Sequence, residues 1–148
     1  MRTDMYRTDS YNIAVKNAKA GDNQSAIENY RNALQANPDY RDAHYNLAVV
    51  LAANGSKDGA IQHYKQTLRV APEYFKAHNN LGMIYAESGQ PELAVRHYKS
   101  ALLYVADNID LLNNLGNALI PLDRVPEAIA HFETALERDP RDARTHYN

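Results

Sequence analysis

The chain is 148 residues long, with 45% apolar and 23% charged residues, which suits one domain or a short stack of repeats. It contains no cysteine, which excludes a disulfide scaffold, a thiolate metal site and a cysteine nucleophile. The formal net charge of −2 argues against nonspecific binding to nucleic acid or to anionic lipid.

Neither a signal peptide nor a membrane span is predicted. The first residues, Met1 to Arg7, lack the apolar core of a signal peptide. No stretch of the chain approaches the roughly 18 apolar residues that a membrane helix needs. We therefore expect a cytoplasmic protein without a membrane partner.

A period of 34 residues runs through the whole chain without a single insertion. Asparagine, alanine, leucine and aromatic residues each recur at this spacing, in the columns Asn12, Asn46, Asn80, Asn114 and Asn148; Ala26, Ala60, Ala94 and Ala128; Leu34, Leu68, Leu102 and Leu136; and Tyr30, Tyr64, Tyr98 and Phe132. We therefore predict a single array over residues 1–148. It would consist of four full repeats, 7–40, 41–74, 75–108 and 109–142, and the truncated start of a fifth at 143–148.

Each repeat predicts two amphipathic helices joined by a turn, because apolar residues recur at steps of three and four. In chain order we expect helices near 8–20, 24–36, 41–54, 58–70, 75–88, 92–105, 109–120 and 126–138. Left-handed turn residues are expected at Gly21, Gly55 and Gly89, with Asp123 in the fourth repeat. Pro121 predicts an early end of the seventh helix. Ala106 stands where other repeats close with proline, and it predicts a less sharply stopped junction between the third and fourth repeats.

These columns resemble the tetratricopeptide repeat family, whose pattern is W-x2-L-G-x2-Y, then A-x3-F, then P. The third repeat matches best, and it carries His78, Leu81, Gly82, Tyr85, Ala94, Tyr98 and Ala106 at the family's positions. The resemblance implies an all-α, right-handed superhelix (a solenoid) of antiparallel helix pairs. In such a stack one pair alone cannot bury its apolar face, and its neighbours supply the cover.

The resemblance also implies that the first helix of each pair lines a concave groove. The residues that would then face a bound peptide are Asn12, Asn46, Asn80 and Asn114; Tyr11, Tyr45, Asn79 and Asn113; and Val49, Met83 and Asn117. A carboxamide offers an acceptor and two donors, so it can bind the N–H and C=O of an extended peptide without reading its side chains. We call Asn12, Asn46, Asn80 and Asn114, with Asn148, the ladder asparagines.

This column looks like the asparagine ladder in the repeat arrays of O-linked N-acetylglucosamine transferases and their plant and bacterial relatives. The resemblance implies a noncatalytic interaction module that binds an extended protein segment and forms part of a larger protein. A simpler interpretation stays open, because asparagine is common in this column of the family and is tolerated there as a polar residue beside the turn.

The residues also bear on two other functions. The last repeat, with Ile129, Phe132 and Leu136, is expected to be partly uncovered and to allow self-association into an assembly scaffold. An RNA-binding helical repeat is disfavoured, because Asp42 and Asp110 occupy groove positions where phosphates would need lysine or arginine. We therefore predict no nucleic-acid partner.

No catalytic, cofactor-binding or metal-binding residue is predicted. The sequence has no glycine-rich phosphate loop, no Ser/His/Asp arrangement and no HExxH. All six histidines lie in two columns, whose members should be about 10 Å apart. That spacing is too wide for a shared zinc ion. The column of His63, His97 and His131 is expected to be an outer, solvated row.

Overall fold

The structure is a computed structural model that describes residues 2–141, with side chains from residue 8 onward. The described residues form eight α-helices and one short 3-10 helix, and no strand occurs among them. The helices are α1 Arg2–Lys19, α2 Asn23–Ala36, α3 Arg41–Ala53, α4 Lys57–Val70, α5 Phe75–Glu87, α6 Pro91–Leu102, α7 Ile109–Leu119 and α8 Val125–Arg138, with the 3-10 helix Ile120–Leu122 after α7.

The chain divides into two compact halves, Met1–Pro72 and Glu73–Asn148. In the first half α1 packs on α2 and α3 packs on α4, while α2 also packs on α3 and α1 touches α3. The second half repeats this order with α5, α6, α7 and α8. In each half, therefore, the first helices of the two pairs are neighbours. The prediction of one continuous array over residues 1–148 stays a prediction.

The turn inside each pair is made by a residue with positive φ, as the sequence predicts. Gly55, with φ 84°, ends α3, and the N–H of Ser56 reaches back to the carbonyl of Leu51 at 2.8 Å. This pattern satisfies the last carbonyls of the helix. In the fourth repeat Asp123 takes the same left-handed conformation with φ 59°.

The core of each half is built from the repeating columns. Ala26, Ala60, Ala94 and Ala128 are buried, and so are Tyr30, Tyr64, Tyr98 and Phe132. Opposite these rings the partner helix carries a very small residue, in the column Ala14, Ala48, Gly82 and Gly116. A Cβ added to Gly82 would lie 2.5 Å from the ring of Tyr98. The second half therefore packs its helix pairs more closely than alanine would allow.

Two helix boundaries differ from the prediction by more than one residue. α1 begins at Arg2, six positions before the expected residue 8, because neither glycine nor proline interrupts the chain before Gly21. α6 ends at Leu102, three residues earlier than expected. The N–H groups of Leu103 and Tyr104 bond to carbonyls three residues back, so the helix tightens into turns without any proline. The junction between the third and fourth repeats thus passes through turns before Ala106 is reached, in place of one stop at a proline.

Two other expectations concern the fourth repeat and the residues after it. α7 ends at Leu119, and the chain passes into the 3-10 helix that contains Pro121, so the predicted early end is confirmed. Ile129 is 40% exposed, as expected, but Phe132 is only 5% exposed because its ring packs beside Gly116. The truncated fifth repeat, 143–148, with Asn148, lies outside the described residues.

Candidate functional site

The candidate site consists of the residues predicted to face a groove, which lie on α1 and α3 in the first half and on α5 and α7 in the second half. Asn12 is exposed, while Asn46, Asn80 and Asn114 are partly exposed. The ladder asparagines that the structure describes therefore lie at the surface of their helices. Each of them directly follows a member of a second column of predicted site residues, which consists of Tyr11, Tyr45, Asn79 and Asn113.

In each half a hydrogen bond joins a ladder asparagine to the preceding repeat. The Asn46 Nδ2 group donates to the hydroxyl of Tyr11 at 2.8 Å. The Asn114 Nδ2 group donates to Oδ1 of Asn79 at 3.0 Å. Both bonds connect residues 35 positions apart, so they are the same contact repeated in the two halves. The sequence analysis did not predict this contact. The signal that could have found it is that the two columns are neighbours in the sequence, so that each ladder asparagine follows a member of the other column by one repeat and one residue.

This contact leaves the carboxamide able to bind a peptide. One N–H of Nδ2 is used between repeats, while Oδ1 and the second N–H are the groups that a peptide bond would require. The bond also fixes the plane of the side chain, which lowers the entropy cost of ordering it when a ligand binds. Asn46 and Asn114 thus have a structural role that is compatible with recognition.

The other predicted site residues differ in accessibility. Val49 is 39% exposed and Met83 is 42% exposed, and Asn117 is also exposed. Tyr45 is partly exposed, and its ring packs against Tyr64 with centroids 5.8 Å apart. Asn113 is only 6% exposed, and we therefore leave it out of the proposed binding surface.

Tyr11 makes both a polar and an apolar contact in the first half. The ring of Tyr11 packs against Tyr40 with centroids 4.9 Å apart. Burial, together with the nearby charge of Asp42, raises the pKa of the Tyr11 hydroxyl. The hydroxyl therefore stays protonated at neutral pH and remains a partner for Asn46.

A cavity of about 500 Å³ lies in the second half, between α5 and α7. Its walls are mostly apolar, and it also contains the ladder residue Asn114; the lining residues are Met83, Ala86, Glu87, Gly89, Pro91, Tyr98, Asn114, Asn117, Ala118 and Pro121. Space is available because Ala118 stands where earlier repeats carry the larger Val50 and Ile84. We call this space the Glu87 cavity.

Tyr98 and Glu87 are the ionisable side chains among the residues that line the Glu87 cavity. Burial raises the pKa of Tyr98 to about 12, and the carboxylate of Glu87 contributes to the rise. The Tyr98 ring is 2% exposed. The cavity therefore offers a neutral phenol and one carboxylate.

The histidines form close pairs across the two columns, which the spacing within each column did not predict. His44 Nδ1 lies 3.0 Å from His63 Nδ1, and His78 Nδ1 lies 3.2 Å from His97 Nδ1. Both His63 and His97 are partly buried, so the expectation of an outer, solvated row was wrong. Helix pairing brings the two columns together within one repeat, whereas the period of 34 residues relates only neighbours within a column.

These pairs have the geometry of hydrogen bonds. The ring centroids of His44 and His63 are 5.3 Å apart, so their Nδ1 atoms, 3.0 Å apart, lie near the line between the ring centres. In this orientation a zinc ion bound to both rings would have to lie directly between the two Nδ1 atoms. Zinc–nitrogen bonds are about 2.0–2.1 Å long, so the two nitrogens would have to be further apart than they are. Within residues 2–141 no group of three or more metal-binding side chains is found that could hold an ion.

The chain belongs to the tetratricopeptide repeat family. Three family models with the description "Tetratricopeptide repeat" match residues 17–72, 63–96 and 85–147, and together they extend over most of the sequence. Proteins of this family are generally noncatalytic modules of protein–protein interaction, and the fold of this chain supports protein partners. The predicted fold class, an all-α array of antiparallel helix pairs, is confirmed.

Solved structures of this fold include MamA 41-end from Desulfovibrio magneticus RS-1, which is 18% identical with a TM-score of 0.89 and matches 95% of this chain and 80% of that chain. Pseudomonas aeruginosa pilF is 22% identical with a TM-score of 0.82, over 98% of this chain and 66% of that chain. YrrB, "a TPR protein with an unusual peptide-binding site", is 21% identical with a TM-score of 0.83, over 92% and 70%.

At these identities the likeness to solved structures shows the fold alone. A comparison with curated proteins finds no match. None of the helices in the described part of the chain combines the length and apolar character that a bilayer crossing needs.

Proposed function

We propose that the chain binds an extended segment of a partner protein on the groove side of its helix pairs, with the ladder asparagines holding the peptide backbone. The observation that carries this proposal is the repeated bond of Asn46 to Tyr11 and of Asn114 to Asn79, which orients the carboxamides alike in both halves. Each carboxamide then keeps an acceptor and a donor for one peptide unit. Exposed Val49 and Met83 supply apolar contact beside the ladder.

The affinity expected from such a site is modest. Each amide bond to the peptide contributes about 0.5–1.5 kcal/mol net. A few such bonds, reduced by the cost of association, correspond to roughly micromolar binding. This strength suits an adaptor that forms part of a larger protein and exchanges partners.

Binding of RNA and assembly into a scaffold are less well supported. Asp42 and Asp110 lie on the first turns of α3 and α7, where a phosphate backbone would be repelled. Self-association through the truncated repeat concerns residues 143–148, which lie outside the described residues. No contact among residues 2–141 favours either function over peptide binding.

The proposal is tested by the double variant Asn46→Ala/Asn80→Ala. A 12-residue peptide selected from a random display library on the wild-type protein is labelled, and its dissociation constant is measured by fluorescence anisotropy. Loss of two backbone contacts should weaken binding by about 5- to 150-fold. Circular dichroism should show unchanged helix content.

The matched control is Tyr11→Phe, which removes the acceptor of the Asn46 bond but leaves the Asn46 carboxamide and the aromatic ring in place. Its affinity for the peptide should fall by less than that of the asparagine variant, because the backbone contacts of Asn46 are kept and only the fixed orientation of its side chain is lost. Unchanged affinity in the asparagine variant would contradict the proposal. Equal losses in the two variants would also contradict it, because the asparagine would then act only by joining repeats.

A further inference from the structure

We propose that a pocket in the first half, formed by α2, α3 and α4, binds the phosphate group of a phosphate monoester. The pocket has a volume of about 440 Å³, and its polar lining residues are Arg31, Gln35, His44, His63, Gln66 and Arg69. We call it the Arg31 pocket. None of the described ladder asparagines lines it, so this inference goes beyond the proposed function and does not depend on it.

The charge of the Arg31 pocket is positive. Among the described residues that line it, Arg31 and Arg69 are cationic and none is acidic. Arg69 pairs with Asp39, which offsets its charge. Arg31 makes no ion pair with any residue of the described part of the chain. Arg31 therefore carries the uncompensated charge of the pocket, and it would attract an anion.

The hydrogen-bond donors of the pocket favour a phosphate over a carboxylate. Arg31 and Gln35 lie one turn apart on α2, and Gln66 and Arg69 lie one turn apart on α4. Gln66 Oε1 accepts from Nε of Arg69 at 2.8 Å, so the amide N–H groups of Gln66 are left for a ligand. Donors on four side chains suit the three terminal oxygens of a phosphate monoester better than the two oxygens of a carboxylate.

The size of the pocket favours an ester over inorganic phosphate. A volume of about 440 Å³ leaves space beyond the phosphate group, and the apolar side chains of Leu34 and Pro38 line part of the pocket. An organic group in this space would gain contacts that a free phosphate ion cannot make. A phosphorylated side chain of a partner and a free phosphorylated small molecule share this chemistry, and the test below separates them.

His63 should respond to a bound phosphate. The Nε2 group of His44 donates to the carbonyl of Pro38, so Nδ1 of His63 donates to Nδ1 of His44. Burial, with the nearby His44 and Arg31, lowers the pKa of His63 to about 4. A phosphate in the pocket would offset the charge of Arg31 and favour the protonated ring. Phosphate binding should therefore raise the pKa of His63.

The combination of residues is specific to the first half. Two repeats further along the chain, Leu112 stands at the position of His44 and Glu137 at the position of Arg69. Lys99 stands at the position of Arg31, and it pairs with Glu127 at 3.2 Å. The corresponding positions of the second half therefore serve as an internal control, which should not respond to the same ligand.

The test titrates four small probes into ¹⁵N-labelled protein at pH 7 and low salt, where charges are least screened. Two are esters, Nα-acetyl-O-phosphoserine N-methylamide and glycerol 1-phosphate; the others are inorganic phosphate and the uncharged Nα-acetyl-serine N-methylamide. NMR follows Nε–H of Arg31 and the side-chain amides of Gln35 and Gln66.

Both esters should give saturable shifts at these groups and bind more tightly than inorganic phosphate. The uncharged amide should give none. Tighter binding of the phosphoserine probe assigns the phosphate to a partner protein, and tighter binding of glycerol 1-phosphate assigns it to a small molecule.

Variants locate the effect at Arg31. Arg31→Gln should weaken binding of the esters by about two- to fivefold, the range for an exposed charge pair. Arg31→Lys keeps the charge and should weaken binding by less. Arg96→Gln removes the same charge from the exposed face of α6, outside the pocket, and should leave the affinity unchanged. In the wild-type protein a saturating ester should raise the pKa of His63.

The absence of saturable shifts, or equal binding of the esters and the uncharged amide, would overturn the inference. Equal affinity in wild type and Arg31→Gln, an equal loss in Arg96→Gln, or an unchanged pKa of His63 would do the same. Inorganic phosphate that binds as tightly as the esters would contradict the assignment of an ester. These outcomes are separate from the test of the ladder, because no ladder asparagine is altered.

Discussion

At the scale of single residues, two ladder asparagines have one observed role, between repeats, and one proposed role, in peptide binding. Asn46 and Asn114 join neighbouring repeats through Nδ2, and the remaining acceptor and donor are the groups that a peptide would use. The period of 34 residues is sufficient to predict the column of asparagines. It does not predict the bonds to Tyr11 and Asn79, because these depend on the offset between stacked helices.

The histidine pairs are a second feature at this scale. The Nε2 group of His44 lies 2.7 Å from the carbonyl oxygen of Pro38, and this oxygen can only accept. His44 therefore carries its proton on Nε2, and its Nδ1 accepts from Nδ1–H of His63. The bond is thus directional, and His44 occupies a position where the family pattern has tryptophan.

Protonation of this pair predicts loss of stability in acid. Burial, with the nearby His44 and Arg31, lowers the pKa of His63 from 6.5 to about 4. The unfolded chain therefore binds a proton more readily than the folded chain, and the free energy of unfolding should fall as pH decreases from about 6.5 towards 4. Urea unfolding measured at several pH values tests the fall, and NMR titration of His63 tests its cause.

A control for this titration is Arg31→Gln. Removal of the arginine charge should raise the pKa of His63 towards its ordinary value, because that charge disfavours the protonated ring. A pKa of His63 at or above 6.5 in the wild-type protein would contradict the assigned environment.

At the scale of the helices, close packing depends on which small residue faces each aromatic ring. Ala14 and Ala48 occupy the column in the first half, whereas Gly82 and Gly116 occupy it in the second half. The sequence predicts small residues there, but only the structure shows that a Cβ at Gly82 would come within 2.5 Å of Tyr98. Gly82 and Gly116 therefore cannot be replaced by alanine unless the adjacent aromatic ring moves.

The substitution Gly82→Ala should lower the free energy of unfolding by about 1–3 kcal/mol, because the buried ring of Tyr98 must shift. Gly59→Ala is the matched control, since its new Cβ would meet a flexible methyl group of Leu51 at 3.3 Å. We expect the control to change stability by less than about 1 kcal/mol in either direction. Urea denaturation of both variants provides the comparison, and equal stability of Gly82→Ala and wild type would contradict it.

Helix boundaries show where sequence reasoning is sufficient and where it is not. Pro121 and Asp123 predict the early end of α7 and the left-handed turn after it, because both effects depend on local backbone sterics. The early end of α6 at Leu102 involves no breaker residue. This end could not be predicted from the neighbouring residues, because it depends on the turns by which the chain reaches α7.

At the scale of the whole molecule, the sequence and the fold agree on a tetratricopeptide repeat protein that supports protein partners. The columns and their period specify the helix pairs and the accessible faces of Asn46, Val49 and Met83. The Glu87 cavity could not be predicted, because it arises from the combined volumes of residues on α5, α6 and α7. Backbone recognition by the ladder asparagines is the claim on which the proposed function depends.

The most direct test of that claim is a double-mutant cycle between Asn46→Ala and the peptide backbone. The selected 12-residue peptide is compared with a set of its derivatives, each methylated at one backbone nitrogen, so that one N–H is lost and every side chain is kept. If Asn46 binds the backbone, one methylated derivative should show a coupling energy of about 0.5–1.5 kcal/mol with Asn46→Ala. Coupling energies near zero at every position of the peptide would contradict the account.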